Sequence, residues 1–319
     1  MLSSVLTTSR VAAATSLLSM STKLIDEDTL TAQIAKVAED AGVFAFAHAR
    51  DIDTGREVGF RSDDPTVTAS VFKVPVLVEY VRQVAAGELD PAQRIEVSPS
   101  EATMGPTGLS VFSDVADWSL RDIATSMITV SDNAATDIVT GLVTVDRVNS
   151  TMRELGLPGT QLTGDCSVIF DDIAKDLAAA GIGTIDGMAS VDYDTAATFT
   201  AATPEKTNRT TPREATSLLQ QIWTDAAATP EACAEARRIL GMQVWPHRLS
   251  AGFPRDDVKI SGKTGTIGMV RNEIGVVEFP GGKRHAIAVF LRGKTLQSRN
   301  PAADRAIGDI ARLLSDALG

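Results

Sequence analysis

From Asp26 to Ala41, apolar side chains recur at Leu30, Ile34, Val37, Ala38 and Ala41, a spacing that puts them on one face of an amphipathic helix. The period then changes. Val43-Phe-Ala-Phe-Ala-His-Ala-Arg50 and Glu57-Val-Gly-Phe-Arg61 predict two strands, and Asp51-Ile-Asp-Thr-Gly55 between them carries hairpin chemistry, with Gly55 supplying a positive φ. Helical spacing returns over Ser70–Ala86, Leu120–Val130, Ala134–Leu142, Val145–Leu155 and Pro212–Ala226. After Trp245 the chain reads as strands again, at Val258–Gly262, Glu273–Phe279 and Ala286–Arg292, the last two joined by a turn at Pro280-Gly281-Gly282-Lys283. Pro301–Leu318 closes it as a helix. Strands at both ends with helices between them predict an α/β plus all-α protein, one sheet assembled from both ends of the chain with a helical lobe inserted. Residues 25–68 and 240–319 form the α/β part of that expectation, 69–239 the helical part, and 1–24 a separate N-terminal segment. Asp165–Arg209 fits neither period. It mixes short apolar runs with Gly181-Ile-Gly-Thr184, Asp186-Gly187 and many Asp, Ala and Thr residues, and a loop of that length inside a compact domain is functional or mobile.

Composition narrows the class of partner. The 319 residues are 44% hydrophobic and 22% charged, enough for one large domain or two intimate ones. Thirty Lys and Arg against 41 Asp and Glu leave a net charge of −11, which argues against nucleic acid or an anionic membrane as partner. Cys166 and Cys233 allow at most one disulfide, and His48, His247 and His285 lie far apart, so neither a metal, a redox role nor a cofactor is expected. No stretch approaches the roughly 20 apolar residues of a membrane helix. Arg10 followed by Val11–Met20 resembles a weak signal peptide, but no basic residue precedes Arg10, Thr and Ser dilute the apolar run, and no A-x-A site follows. A flexible or docked N-terminal segment and a cytoplasmic location are therefore favoured over secretion.

Three short motifs carry the chemistry. Ser70-Val-Phe-Lys73 opens a helix, where residues three apart share a face, so a desolvated lysine amine can serve the serine hydroxyl as base. The positive end of that helix favours an oxyanion. Ser131-Asp132-Asn133 follows the apolar run Ile123–Val130 and opens the next helix. Lys263-Thr264-Gly265-Thr266 ends the strand that begins at Val258, and a lysine flanked by hydroxyls suits a substrate carboxylate. Singly, each is ordinary: two helix caps and a strand end with a glycine turn.

Together, in this order, they are the S-x-x-K, S-D-N and K-T-G set, and the chain resembles the class A β-lactamases and penicillin-binding proteins. Leu120–Asp137, Thr210-Thr-Pro-Arg213 and Leu249-Ser-Ala-Gly-Phe-Pro254 extend the likeness over roughly residues 25 to 318. The resemblance implies a five-stranded antiparallel sheet flanked by terminal helices, an all-α lobe, and an active site between them. It implies Ser70 as the nucleophile and Lys73 as the group that takes its proton or holds its hydroxyl. Ser131 would relay a proton to the leaving atom, and Asn133 would bond the substrate amide and Lys73. Lys263 would recognise a carboxylate on a small-molecule substrate, with Thr264, Gly265 and Thr266 beside it, and the N–H groups of Ser70 and Thr266 would form the oxyanion hole.

The chain departs from the family at one place. Class A enzymes carry a loop glutamate that activates the deacylating water. Between Asn133 and Thr211 the only glutamates are Glu154, at a helix end that reads as surface, and Glu205, too close to Thr210-Thr-Pro. The acids there are aspartates: Asp165, Asp171, Asp172, Asp176, Asp186, Asp192 and Asp194. The expected function is a serine hydrolase that forms an acyl-enzyme on Ser70 and deacylates β-lactams slowly. A serine esterase or acyltransferase on a biosynthetic substrate and a penicillin-binding sensor without turnover are the alternatives.

Overall fold

The computed structural model describes residues 26–182, 191–297 and 299–319; the 1–24 segment and the Gly183, Thr184, Asp186 and Gly187 positions lie outside them. The strands are β1 Val43–Asp51, β2 Glu57–Phe60, β3 Thr66–Val67, β4 Arg94–Val97, β5 Ala116–Ser119, β6 Arg209–Thr210, β7 Lys259–Ile267, β8 Val270–Glu278 and β9 Arg284–Gly293. The helices are α1 Glu27–Asp40, α2 Lys73–Ala85, α3 Leu120–Thr129, α4 Asn133–Val143, α5 Val145–Glu154, α6 Cys166–Ala179, α7 Tyr193–Ala197, α8 Pro212–Trp223, α9 Pro230–Leu240, α10 Leu249–Gly252 and α11 Pro301–Leu318.

Five strands form one antiparallel sheet in the order β2-β1-β9-β8-β7. The two ends of the chain meet at its centre, where β1 pairs with β9 from Val43 opposite Gly293 to Asp51 opposite His285. Alternation sorts the two faces of β1. Ala45, Ala47 and Ala49 are buried in one core with Leu30, Ile34 and Ala38 of α1 and Ile307, Ile310 and Leu314 of α11. The larger core joins the other face, through Ile274, Ala288 and Phe290, to the inserted helices.

The structure corrects three expectations. Ser70 does not open an α-helix: it lies in a 3-10 turn, Ala69–Phe72, and α2 begins at Lys73. The Lys263–Thr266 motif lies inside β7, which runs on to Ile267, rather than at a strand end. Asp165–Arg209 is not one long loop, because α6 fills its first third. Asp165 caps that helix, and Ile169, Ile173 and Leu177 recur every four residues as its buried stripe. Helix α9 went unassigned because its buried stripe is mostly small (Ala232, Cys233 and Ala236, then Ile239 and Leu240), although Thr229 and Pro230 announce its start. The β4–β5 ribbon is four pairs long and half exposed, too short for a clear period.

The turn that carries Ser70 is clamped from three directions. Asn272 of β8 donates from Nδ2 to the carbonyls of Val67 and Thr68 at 2.8 and 3.0 Å. Thr68 donates from its backbone and its hydroxyl to the Asn208 carbonyl at 3.0 and 2.9 Å. Gly265 of β7 packs directly beneath: a Cβ there would lie 2.6 Å from the Thr68 carbonyl oxygen, so only glycine lets strand and turn approach this closely.

Burial also tunes the sheet's own titration. His285 shares its Nδ1 with the Ser315 hydroxyl at 2.9 Å and packs edge-on against Phe279, and burial pushes its pKa down to about 4. A histidine depressed from 6.5 stays neutral in the fold while the unfolded chain takes up a proton, so its contribution is intact above about 6.5 and is lost as pH falls toward about 4. Against a His285→Asn variant, wild type is expected to lose roughly 3 kcal/mol of relative unfolding free energy between those limits. Urea unfolding of both proteins at pH 7 and pH 4.5 measures this, and parallel pH dependences would contradict it.

Candidate active site

The site lies where α2, the α3–α4 connection and the edge strand β7 converge. A cavity of about 340 Å³ is lined by Ser70, Ser131, Asn133, Thr264 and Thr266, together with Thr107, Phe170, Trp245, His247 and Arg248. The sequence-derived residues are thus brought together, with three set behind the wall: Lys73 and Lys263, both fully buried, and Gly265, under the Ser70 turn.

Lys73 is the link between the lobe's helices. Its ammonium is completely buried and donates to the Ser131 carbonyl at 2.8 Å, the Ser131 hydroxyl at 3.2 Å, the Asp132 carbonyl at 3.4 Å and Asn133 Oδ1 at 2.9 Å. All of these partners belong to the Ser131–Asn133 turn. The expected face-sharing of Ser70 and Lys73 gives way to an indirect arrangement: Lys73 lies behind the cavity wall and bonds Ser131, which lines the cavity together with Ser70. Desolvation holds the Lys73 pKa below the usual lysine range, which raises the fraction able to accept a proton.

Asp132 builds the turn from within. It is fully buried and accepts from the backbone of Leu109 at 2.7 Å and Ala135 at 3.1 Å and from the hydroxyl of Ser126 at 2.8 Å. Those bonds fix Ser131 at φ +63° and present its hydroxyl to the cavity. Ala69, beside Ser70, has φ +44°. A non-glycine residue in this region costs about 1–3 kcal/mol and persists only where its surroundings over-determine it.

On the opposite wall, β7 ends the sheet and so has one unpaired edge. Thr264 N–H leaves that edge toward Gln243 Oε1 at 2.6 Å, and two residues on the Thr266 N–H points from the same edge. Lys263 Nζ donates to the Thr264 carbonyl at 2.9 Å and does not line the cavity. Its pKa lies well below the lysine range, first through burial and then through the charge of Lys73. Glu273 is also fully buried, and desolvation pushes its carboxyl up to about 7.

Three groups escaped the sequence reading. Arg248 bonds Thr266 Oγ1 at 2.7 Å and the carbonyls of Gly265 and Asn272 at 3.0 and 2.7 Å, and it pairs with Asp304 of α11 at 2.8 Å. Its signal was the position just before Leu249–Pro254. Trp245 and His247 form an edge-on pair beside it. Cys166, the first residue of α6, is a free buried thiol that shares a cavity of about 80 Å³ with Ser70, Asn133 and Thr266. Its Sγ donates to Asn133 Oδ1 at 3.4 Å, and burial pushes its pKa up to about 12. Among the described residues no aspartate or glutamate lines either cavity. Asp165 caps α6, Asp176 accepts from Thr200 N–H, and Glu154 is exposed and paired with Arg82.

A family model for the β-lactamase enzyme family matches residues 29–318. The β-lactamase regulatory protein BlaB of Streptomyces cacaoi is 27% identical over 310 residues, covering 92% of this chain and 99% of that one. A β-lactamase from Sphaerobacter thermophilus superposes with a TM-score of 0.74 at 25% identity, covering 92% of this chain and 99% of the other. PBP-A, at a TM-score of 0.71, 21% identity and coverage of 91% and 95%, shares the fold. With the antiparallel sheet, the inserted helices and a serine-lined cavity between them, the chain belongs to the β-lactamase enzyme family and is a serine hydrolase of the β-lactamase type.

Proposed function

We propose that the protein forms an acyl-enzyme on Ser70 with β-lactams or related amides and esters that carry a carboxylate, and that it releases the acyl group slowly. The observation that carries this reading is the single cavity on which Ser70, Ser131, Asn133 and Thr266 converge, with the buried Lys73 amine bonded to Ser131. In the acylation step Ser70 Oγ bonds to the substrate carbonyl carbon and its proton passes to Lys73, directly or through Ser131. The Ser70 and Thr266 N–H groups hold the oxyanion. The C–N or C–O bond then breaks and Ser131 delivers the proton to the leaving atom. Asn133 orients the substrate amide and Lys73 together.

Carboxylate recognition falls to the Thr264 and Thr266 hydroxyls with the Arg248 guanidinium behind them, and Lys263 supplies a buried field. Arg248→Gln should then weaken acylation by a penicillin about tenfold or more while sparing a neutral activated ester, since a charge-assisted bond contributes about 1.5–3 kcal/mol. Lys263→Ala should slow both substrates. Acylation rates on the two substrates, with melting curves as a folding control, decide this; equal losses for Arg248→Gln would remove it from recognition.

Hydrolysis of the ester needs a base that holds a water. Among the residues that line the smaller cavity beside Ser70, the one titratable side chain is the Cys166 thiol, which is neutral at physiological pH because burial pushes its pKa up to about 12. A regulatory relative and this missing carboxylate both favour a second reading, a penicillin sensor acylated without turnover. With a chromogenic cephalosporin, the expected result is a stoichiometric burst and a slow steady state, which Cys166→Glu speeds about a hundredfold, the low end of the roughly 10²–10⁴ that a general base supplies. Rapid linear turnover by wild type would mean that another base serves the water.

A further inference from the structure

A second cleft lies on the other side of the Ser70 turn, away from the active-site cavity. On β1, Ala45 and Ala47 face the terminal helices, and Phe44 and Phe46 take the opposite face. Phe44 sits opposite Arg292 in the β1–β9 ladder and Phe46 opposite Phe290. The Arg292 guanidinium carbon lies 5.2 Å from the Phe44 ring centre, and Lys294 Nζ lies 5.3 Å from the same ring. Arg61 covers Phe46 at 4.2 Å and is paired with Asp64. Phe44, Phe46, Arg61, Asp64 and Arg292 line a cleft of about 490 Å³ whose remaining wall is largely Pro65, Ala197, Ala202 and Pro204, with Glu205 exposed at its lip.

Arg292 stands apart from the other cations here. Its Nε is buried with no hydrogen-bond acceptor, and among the described residues no carboxylate comes within ion-pair distance of it. An unpaired buried donor costs about 1–3 kcal/mol, and it marks a guanidinium that the described residues leave unsatisfied. Phe44 covers one flat face of the guanidinium, which leaves its edge for a planar two-oxygen acceptor. The rings and the alanine and proline wall suit an apolar body about one or two rings wide. Asp64 and Glu205 beside the two arginines favour a single negative charge over a phosphate dianion.

We propose that this cleft binds a small organic monoacid, a carboxylate carried on an aromatic or alicyclic body, at a site separate from Ser70. A smaller cavity of about 60 Å³ shares Phe46, Pro65, Ala202, Pro204 and Arg292 with it and reaches Val67 and Asn272. Asn272 is the residue that clamps the Ser70 turn, so a ligand here rests against the back of the nucleophile's support.

The probe is 2-naphthoate, titrated into the full chain and followed by backbone amide NMR shifts and by calorimetry. Shifts centred on Phe44, Arg61 and Arg292 are expected. Arg292→Gln should weaken binding at least tenfold and Phe44→Ala severalfold, Ser70→Ala should leave it unchanged, and the neutral methyl ester of the probe should not bind. If Arg292→Gln fails to fold, Arg292→Lys keeps the charge without the planar fork and must also weaken binding. Shifts confined to the surroundings of Ser131 and Thr264, full affinity in Arg292→Gln and Arg292→Lys, or no binding at millimolar probe would each overturn the proposal.

Discussion

The burial of the Lys73 ammonium is the constraint around which the site is arranged. Taking such a charge out of water costs several kcal/mol unless donors and acceptors are supplied inside. Here the supply is two backbone carbonyls, a hydroxyl and an amide oxygen, all from the turn between α3 and α4. Among the described residues no carboxylate contacts the amine directly; desolvation dominates and its pKa falls. The bonds that Asp132 accepts hold the neighbouring Ser131 in a left-handed conformation that its side chain alone would not choose. Burial and position thus meet in one set of contacts: the bonds that hold the amine are made to the turn that carries Ser131.

The sheet supplies the other half. β7 can present amide N–H groups to a substrate because it is an edge strand, and it can approach the Ser70 turn because residue 265 has no side chain. Arg248 ties that strand to α11, so the carboxyl-terminal helix is mechanically part of the cavity wall. The third wall, the start of α6, bears a thiol where ester hydrolysis would need a proton acceptor. On the proposed reading, acylation and deacylation rest on different elements.

Much of this was legible in the sequence because it depends on local chemistry. The three motifs located Ser70, Lys73, Ser131, Asn133 and Thr266, and the two periods of the hydrophobic pattern gave the order of the five sheet strands and of the longer helices other than α6 and α9. What was not legible depends on contacts distant in the chain. Arg248 bonds residues 17 to 56 positions away, and no local pattern marks it. Cys166 read as an unremarkable cysteine because its closeness to Asn133 comes from α6 folding back, and α6 itself was obscured by the Asp and Ala residues on its exposed side. Lys263 carried a recognisable motif, yet its complete burial follows from the helical lobe packing over β7.

The central claim is a stable acyl-enzyme at one serine, and its most direct test is an intact-mass time course after mixing the protein with benzylpenicillin. The account predicts one adduct per chain, formed rapidly, retained long after free penicillin is removed, and absent from Ser70→Ala that melts like wild type. An adduct that survives Ser70→Ala, or a wild-type chain that never gains mass while penicillin stays intact, would contradict it.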